Sequence, residues 1–352
     1  MTAKRVIGIR GLAAELGISI GTVSRALNDR GEVNAETRER VREAAQRLGY
    51  AANHSGRSLR QGSTGAVGVL FRVSDSQETH GEPFAVALFD GMQTELAAAG
   101  RDLVLLMTQP HEQLDRVRRA VDRGMVDALI LPWTEIDDPR LDFVAARRFP
   151  FVALGRSRSG GDHAWIDLDF EAAGRSSIER LAAAGHRHVG LMPSSRELMQ
   201  GSVLTTACQA ALDALGLPPA AVVPEDLTEA GGYRASRALM DRQPRPTALI
   251  ANSERMAFGA YRLAAERGLV VGRDVAVIAI ASDNALCRYL SPSLTCFDPA
   301  PFALGRRLAR VALDQMAAPH AAKPNELWPL RLIERESDRN HIDDLKAASG
   351  SP

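Results

Sequence analysis

Short apolar runs alternate with segments of helix length between residues 66 and 280, and this alternation constrains the fold more than any other feature. AVGVLF (66–71), FVALG (151–155) and VAVIAI (275–280) have the length of strands and are rich in apolar side chains, as strands covered on both faces are. Strands that alternate with helices at this spacing form βαβ units and parallel sheets. The sequence therefore predicts an α/β body over residues 63–337.

The predicted strands form two successive sets, which indicates two doubly wound parallel-sheet subdomains. The first set is predicted at 66–71, 102–107, 127–132 and 151–155, and the second at 165–169, 188–192, 221–223, 247–252 and 275–280. The chain is expected to cross between the subdomains near residue 160 and within 281–300. Helix 301–317 and a last strand near 326–333 are expected to return to the first subdomain. A ligand is expected between the carboxyl ends of the strands.

Residues 1–62 form a basic head on an acidic body. Eleven basic and six acidic residues fall in this stretch, which carries a net charge of +5, while the rest of the chain carries −5. Such an asymmetry is typical of a polyanion-binding module joined to a separate domain. Chance asymmetry on a solvated surface is the alternative.

Three short helices are predicted within residues 1–50. They cover residues 10–16, 20–28 and 35–48. Gly17 ends the first helix, because glycine adopts the left-handed backbone of a helix exit, and Ser19 and Asn34 can cap the next two. Two short helices joined by a glycine turn, with a third packed behind, form a helix-turn-helix unit. A packing motif of three helices without a DNA role is the alternative.

The second helix directs small and polar residues outward. Val23, Ala26 and Leu27 share its inner face. The outward positions are Ile20, Gly21, Thr22, Ser24, Arg25 and Asn28. A DNA major groove admits a helix whose short outward side chains let the backbone approach. The hydroxyl and amide side chains suit phosphate contacts, and Arg25 suits a guanine edge or a phosphate.

Three consecutive stretches carry a family resemblance: GISIGTVSRALN (17–28), VNAETRERVREAAQRLGY (33–50) and AANHSGRSLRQG (51–62). They resemble the recognition helix, third helix and hinge of the LacI/GalR (lactose-repressor/galactose-repressor) family of bacterial transcription regulators. The resemblance implies that Ile20, Gly21 and Arg25 lie where bases are read, and that Ser19, Thr22, Ser24 and Asn28 lie where phosphates are bound. It also implies a hinge helix that begins at Asn53 and inserts Leu59 into the minor groove.

The body carries the resemblance further. PTALIANSERMAFGAYRLAAERGLVVGRDVAVIAI (246–280), SPSLTC (291–296) and LRLIERES (330–337) resemble family blocks at the corresponding places. The implied body is similar to periplasmic sugar-binding proteins, dimerises and binds a small effector in its cleft. The implied layout is a helix-turn-helix domain at 1–50, a hinge at 51–62, an effector-binding and dimerisation domain at 63–337 and a polar tail at 338–352.

The expected effector pocket departs from the family pattern. Its candidate residues are Phe84, Trp133, Arg156, Asp169, Phe170, Asn252 and Asp283. The aromatic rings could stack on the apolar face of a sugar, and the other side chains could form polar contacts. Leu204, Ser253 and Ala281 stand where the family has an arginine and two aspartates. Each candidate also has a structural alternative, in the core, in a solvated loop or at a helix cap.

Enzyme, metal and cofactor patterns are not found. GRSRSGG (155–161) lacks the spacing of a phosphate loop, and His186 and His188 lack a third ligand nearby. Cys208, Cys287 and Cys296 form no metal-spaced set, and we expect them to be buried in a reducing compartment. Because no signal peptide or membrane-spanning run is found, we expect a cytoplasmic protein with no membrane partner.

The sequence thus predicts a transcription regulator, and we expect a repressor that binds a palindromic operator. The tail lacks heptad leucines, so a homodimer is expected. A carbohydrate is the expected effector, while a purine, a sugar phosphate or no small molecule remain alternatives. A sugar-binding protein without a DNA role and a cytosolic enzyme are the other classes left open.

Overall fold

The chain divides into two compact units, a helical head up to Thr64 and a body from Gly65 onwards. The computed structural model describes residues 8–27, 33–48, 50, 63–72, 83–195 and 197–339. Several predictions fall outside these residues: the DNA contact at Asn28, the helix stop at Gly49, the hinge 51–62 with Asn53 and Leu59, and residues 340–352 of the tail.

Three helices form the described part of the head: α1 (Ile9–Leu16), α2 (Ile20–Leu27) and α3 (Ala35–Arg47). Leu12, Val23 and Val41 bring one buried side chain from each helix into a common core. Gly17 ends α1 with a φ of 64°, as its sequence position predicts. The Asn34 side chain caps α3 by accepting the backbone N–H of the helix's third residue. The helix-turn-helix prediction is confirmed.

The body contains alternating strands and helices, in agreement with the α/β prediction. In chain order the elements are β1 (Ala66–Arg72), α4 (Pro83–Ala98), β2 (Asp102–Thr108), α5 (Gln113–Asp122), β3 (Ala128–Pro132), α6 (Pro139–Ala146), β4 (Phe151–Leu154), β5 (Ala164–Leu168), α7 (Phe170–Ala183), β6 (Val189–Met192), α8 (Met199–Ala214), β7 (Ala221–Val222), α9 (Glu229–Met240), β8 (Ala248–Ala251), α10 (Glu254–Glu266), β9 (Ala276–Ile280), α11 (Ala285–Tyr289), β10 (Thr295–Asp298), α12 (Pro301–Ala317), β11 (Asn325–Trp328) and β12 (Arg331–Ile333).

Two six-stranded sheets organise the body. The first has the order β11-β5-β4-β3-β1-β2 and the second has the order β12-β10-β9-β8-β6-β7. All pairs are parallel except β10 with β12. The central strands β3, β8 and β9 are buried along their whole length, because helices cover both faces of each sheet. The two doubly wound subdomains that the sequence predicts are therefore present.

Two details of the predicted topology are wrong. The strand at 164–168 does not open the second subdomain, since it pairs with β4 in the first sheet. The segment before it is a turn in which Gly155, Gly160 and Gly161 have positive φ. The last strand is two strands, because Pro329 has no N–H to continue a ladder, and β11 and β12 join different sheets.

The crossovers between subdomains move accordingly. The chain passes to the second subdomain at Asp169, between β5 and α7, rather than near residue 160. It remains in the second sheet through β10 and returns at 299–300, at the end of the predicted interval. A third passage, which the sequence did not predict, lies at 329–330 between β11 and β12.

Candidate DNA-binding and effector sites

The outer face of α2 presents the residues expected to contact DNA. Ser19, Ile20, Gly21 and Arg25 are exposed, and Thr22 and Ser24 are half-buried. Val23 and Ala26 point into the core of the head and are buried. The helix therefore packs into the head through one face and exposes Ile20, Gly21 and Arg25 on another, as a recognition helix requires.

Ser19 fixes the start of this face. Its Oγ accepts the backbone N–H of Thr22 at 3.0 Å, and the two hydroxyl oxygens lie 2.9 Å apart in a second hydrogen bond. A Cβ added at Gly21 would meet no atom closer than the Ser19 Oγ at 3.6 Å. Packing within the head therefore leaves room for a side chain at Gly21. Because Gly21 has no side chain, the backbone of α2 can approach another surface closely at this position.

A small cavity of about 90 Å³ lies between the two subdomains of the body. It lies at the carboxyl edge of both sheets, since Trp133 follows β3, Asn252 follows β8 and Ala281 follows β9. The lining residues are Phe84, Trp133, Leu168, Phe170, Gln200, Leu227, Asn252, Ser253, Glu254, Arg255, Ile280, Ala281, Ser282 and Pro299. We call this cavity the cleft.

Four of the seven expected effector residues meet at the cleft: Phe84, Trp133, Phe170 and Asn252. The other three do not line it, because ion pairs and a cap hold them elsewhere. Asp169 caps α7 by accepting the backbone N–H of Ala172 at 2.9 Å. Asp283 accepts hydrogen bonds from Arg288 at 2.9 Å and from Arg335 at 2.5 Å. These bonds, the one from Arg288 above all, lower the pKa of Asp283.

Arg156 is held by two carboxylates beside the cleft. Its Nε lies 2.7 Å from Asp167 and its Nη2 lies 2.7 Å from Glu171. Burial raises the pKa of Asp167 to about 6, although the hydrogen bond from Arg156 opposes this rise. Because the guanidinium is already paired twice, a ligand would have to displace a carboxylate to reach it.

The polar groups of the cleft are arranged around Asn252. Its Oδ1 accepts the backbone N–H of Ser194 at 3.0 Å, while its Nδ2 is buried and has no hydrogen-bond partner among the described residues. Glu254 contacts Ser282 at 3.4 Å. The Arg255 guanidinium is neutralised by Glu229, with the shortest bond at 2.6 Å. The cleft thus combines an unused amide donor, a carboxylate acceptor and three aromatic rings.

Sequence reasoning missed several lining residues, of which Gln200, Glu254 and Arg255 are the polar ones with long side chains. Glu254 and Arg255 follow the end of β8, as Asn252 does, and polar residues after a strand are a signal for this edge. Gln200 is in the first turn of α8 and has no such signal. Its position depends on how the two subdomains meet.

Backbone contacts join the subdomains next to the cleft. The N–H of Ile136, after β3, donates to the carbonyl of Glu197 at 2.8 Å, and the N–H of Met199 donates to the carbonyl of Thr134 at 3.1 Å. These bonds flank an isolated antiparallel bridge between Glu135 and Leu198. The 134–136 loop of the first subdomain is therefore fastened to the start of α8 in the second.

Neither metal clusters nor membrane helices are found in the part of the chain that the structure describes. No three His, Cys, Asp or Glu side chains there are grouped to hold a metal ion. No helix there is long and apolar enough to cross a bilayer.

Comparisons with family models and curated proteins are consistent with both sites. Residues 9–53 match the model of bacterial regulatory proteins of the lacI family, and residues 178–337 match a periplasmic binding protein-like domain. The chain is 31% identical to the HTH-type transcriptional regulator AglR of Rhizobium meliloti (strain 1021), with 98% of each chain covered. It is 33% identical to the HTH-type transcriptional regulator RafR of Escherichia coli, covering 78% of this chain and 81% of that one.

Two solved structures have a similar fold. A complex of the transcriptional regulator CelR with cellobiose is 26% identical, with a TM-score of 0.71 and coverage of 94% of this chain and 99% of that one. The lac repressor dimer bound to operator and the anti-inducer ONPF is 23% identical, with a TM-score of 0.83 and coverage of 95% and 100%. The second likeness concerns the fold alone.

Proposed function

The chain belongs to the LacI family of bacterial transcription regulators, and we propose that it binds a palindromic operator as a homodimer whose affinity a small ligand controls. The observation that carries this proposal is the outer face of α2, whose side chains are mostly small and polar and lie outside the buried core of the head. Because the operator is chromosomal DNA, we further propose that the protein acts in the cytoplasm.

The proposed DNA contacts divide into two groups. Ile20, Gly21 and Arg25 are proposed to contact the bases, and Ser19, Thr22, Ser24 and Asn28 are proposed to contact the phosphates. Phosphate contacts fix the register of the helix, and contacts to base edges select the sequence. Gly21 offers no side chain, so selection at its base step depends on neighbours or on groove shape. Asn53 and Leu59 of the hinge are proposed to enter the minor groove, where a leucine can unstack a base step.

Exposed apolar side chains support a dimer. Leu105 and Met107 on the edge strand β2 are 44% and 56% exposed, and Val86 on α4 is also exposed. In the second subdomain, Leu286 and Tyr289 on α11 are exposed. An isologous dimer that covers these side chains would have the two-fold symmetry of a palindrome.

A neutral, hydroxylated ligand fits the cleft best, and we propose a carbohydrate. The rings of Phe84, Trp133 and Phe170 can pack on the apolar face of a sugar, while Asn252 and Glu254 can bind hydroxyls. Arg255 is already neutralised by Glu229, so the cleft lacks the unpaired cation that a sugar phosphate would need. This distinguishes the carbohydrate from the sugar-phosphate alternative.

Ligand entry requires the cleft to open. Its volume of about 90 Å³ is well below the roughly 300–1,000 Å³ of usual ligand sites. Opening would break the backbone bonds between the 134–136 loop and the start of α8, and so move the first subdomain against the second. We propose that this motion changes operator affinity, by a coupling of about 1–3 kcal/mol, and that the protein represses by occupying promoter DNA.

Selection from a random duplex library tests the proposal. Full-length protein would be used without ligand, with a panel of mono- and disaccharides, and with hypoxanthine and glucose 6-phosphate. We expect one enriched palindrome whose binding a neutral sugar changes, and no such change in the Asn252→Ala variant. No enriched sequence at low salt would contradict the DNA role, and a response to hypoxanthine or glucose 6-phosphate alone would contradict the carbohydrate.

A further inference from the structure

A second cavity, of about 470 Å³, lies in the first subdomain. It is found where β4 and β5 begin, at Phe151 and Ala164, and therefore at the amino edge of the first sheet. The cleft lies at the opposite, carboxyl edge of this sheet. The second cavity is also far larger than the cleft and falls within the roughly 300–1,000 Å³ range of small-molecule sites. We call it the amino-edge cavity.

Among the ionisable side chains of its lining, basic ones outnumber acidic ones. Arg148, His320 and Lys323 line the cavity, against Asp162 as the one acidic lining residue. The Lys323 Nζ donates to the Gln315 Oε1 at 2.5 Å and to the carbonyl of Pro319 at 2.7 Å. An ammonium group has three donors, so one N–H remains for a ligand. These two hydrogen bonds also hold the Lys323 ammonium group in place.

Flat apolar surfaces form another part of the lining. Phe149 and Phe151 both line the cavity, and the ring of His163 stacks on that of Phe151 with centroids 5.2 Å apart and planes 21° apart. Planar rings pack well against a flat apolar body. The cavity therefore combines cationic groups with an aromatic surface.

His163 has an unused polar atom. The side chain is 95% buried, because only 5% of its surface is exposed. Its Nδ1 lies 3.0 Å from the carbonyl oxygen of Gly161, and since a carbonyl can only accept, Nδ1 carries the hydrogen. The Nε2 atom is buried and has no hydrogen-bond partner within the part of the chain that the structure describes. Buried polar atoms are nearly always paired. In this tautomer Nε2 is an acceptor, so a bound anion can pair with it only through a hydroxyl, which a singly ionised phosphate ester retains and a carboxylate lacks.

We propose that the amino-edge cavity binds a small organic anion, a carboxylate or a phosphate ester with a flat apolar body. The apolar body packs against Phe149 and Phe151, and the anionic group meets Arg148 and Lys323. The site does not depend on the proposed effector cleft. It lies at the same sheet edge as the start of β1 at Ala66, where the chain enters the body from the hinge.

Isothermal titration of the full-length protein tests this site. Phenyl phosphate and benzoate are the probes for the phosphate and carboxylate classes. Inorganic phosphate tests the contribution of the charge alone, and benzyl alcohol tests that of the apolar body alone. We expect saturable binding of one phenyl phosphate or benzoate per chain. Inorganic phosphate and benzyl alcohol should each bind at least tenfold more weakly. Absence of saturable binding by both probes would overturn the proposal.

Paired variants locate the ligand. We expect Arg148→Gln/Lys323→Gln to weaken binding of the probe at least tenfold. Arg147→Gln is the matched control, because Arg147 pairs with Asp122 and covers the ring of Phe143 outside the cavity; it should leave binding unchanged. His163→Phe retains the stacked ring but removes the Nε2 acceptor, and it should weaken binding of phenyl phosphate more than binding of benzoate.

Three outcomes of these measurements would contradict the proposed anion site. Full binding by the Arg148→Gln/Lys323→Gln variant would overturn the proposal, as would equal losses in Arg147→Gln. The Asn252→Ala variant should bind the probe normally, and a loss there would place the anion in the cleft instead. Operator binding measured on the same samples reports the proposed function separately, since the amino-edge variants change no residue of α2.

Discussion

At the scale of single residues, the Asp138–Arg140 ion pair connects folding to the cleft. The Asp138 side chain is 0% exposed and that of Arg140 is 2% exposed. Arg140 also donates to the carbonyl of Trp133 at 2.9 Å and to Gln113 at 2.6 Å. Trp133 has a φ of 52°, which is unfavourable for a bulky residue. The buried pair therefore holds the strained backbone that aims Trp133 into the cleft.

We expect Asp138→Asn to lower the free energy of unfolding by about 3–5 kcal/mol, because it leaves the Arg140 charge buried without a counter-charge. Urea titration at neutral pH would measure this loss. Asp137→Asn is the matched control, since Asp137 is the adjacent carboxylate, pairs with Arg158 and is largely exposed; it should cost about 0–1 kcal/mol. Equal effects of the two substitutions would contradict the structural role of the pair.

The same pair gives stability a pH dependence. Burial alone would raise the pKa of Asp138, but the hydrogen bonds and charge of Arg140 outweigh it and lower the pKa. A lowered folded-state pKa means that this stabilisation is present above the unfolded-state pKa and is lost as the pH falls through the folded-state value. Unfolding curves should therefore show a steeper loss of stability below about pH 4 in the wild type than in Asp138→Asn.

Arg25 is the residue that we expect to select operator sequence. Arg25→Ala should remove about 1–3 kcal/mol of discrimination at one base step of each half-site. Arg40→Ala is the charge-matched control, because Arg40 is an exposed arginine on α3, outside the proposed reading face. Arg40→Ala should either lower the affinity for all DNA sequences equally or leave it unchanged. Selection experiments with both variants would measure this, and an unchanged preference in Arg25→Ala would exclude the base-reading role.

Single residues also show where sequence reasoning succeeds. Gly17, Ser19 and Asn34 take the predicted cap positions because each depends on the backbone within three residues. Arg156 and Asp283 were expected at the cleft, but each is captured by side chains from neighbouring segments, and no spacing in the sequence reveals such pairs. Trp133 and Phe170 line the cleft because they closely follow β3 and β5, and the ends of parallel strands meet at one edge of a sheet; their contact with an effector stays a prediction.

At the scale of elements, two pairs of helices approach each other through glycines. A Cβ at Gly305 on α12 would lie 2.0 Å from the carbonyl oxygen of Leu88 on α4, and one at Gly91 would lie 2.0 Å from that of Phe302. Gly232 on α9 and Gly259 on α10 form a similar pair in the second subdomain, at 2.1 and 2.2 Å from backbone oxygens. Each subdomain is thus closed by helices whose backbones nearly touch.

Gly305→Ala should destabilise the body by about 1–3 kcal/mol or more, because the backbone of α4 must move to admit the methyl group. Helix propensity alone predicts the opposite, since alanine is favoured over glycine by roughly 1 kcal/mol. Ala303→Gly, at an exposed position of the same helix, calibrates that propensity effect in thermal unfolding. A stabilised Gly305→Ala variant would show that α4 and α12 can separate freely.

Element positions were largely predictable, while sheet membership was less so. Apart from the last strand, the strands predicted from apolar runs lie within one or two residues of their positions in the structure, and so does helix 301–317. The assignment of β5 failed because a glycine-rich turn and a crossover look alike in sequence, and only pairing with β4 distinguishes them. The sequence predicts β11 and β12 as one strand, because only Pro329 and the next residue separate them. The structure shows two strands, since β11 pairs in the first sheet and β12 pairs in the second.

At the scale of the whole molecule, each function is assigned to a different part of the body. In the first sheet, the carboxyl edge faces the cleft, the amino edge holds the second cavity, and β2 forms a side edge. Because all three belong to one hydrogen-bonded sheet, we expect a ligand at either edge to act on the proposed dimer contact by moving the subdomain as a whole. We therefore propose that the exposed edge strand, as part of a dimer contact, links both ligand sites to operator binding by α2.

The last prediction concerns that edge. An exposed strand edge with apolar side chains is prone to pair with another chain, and Leu105 and Met107 are the exposed apolar side chains on β2. Burying each in a dimer contributes about 1.5–3 kcal/mol, so Leu105→Lys/Met107→Lys should weaken dimerisation at least a hundredfold, given a factor of ten per roughly 1.4 kcal/mol. Sedimentation equilibrium would measure this change.

Leu215→Lys is the control for added charge, because Leu215 is 48% exposed at the end of α8, a helix that is not among the elements proposed for the contact. It should remain dimeric and bind the full operator. The β2 variant should bind a half-site as well as the wild type does but lose the gain from the second half-site, since its monomers bind independently. If this variant remained a dimer and bound the whole palindrome normally, the two-fold contact would have to lie on another surface, and the apolar residues of α11 would be the next to substitute.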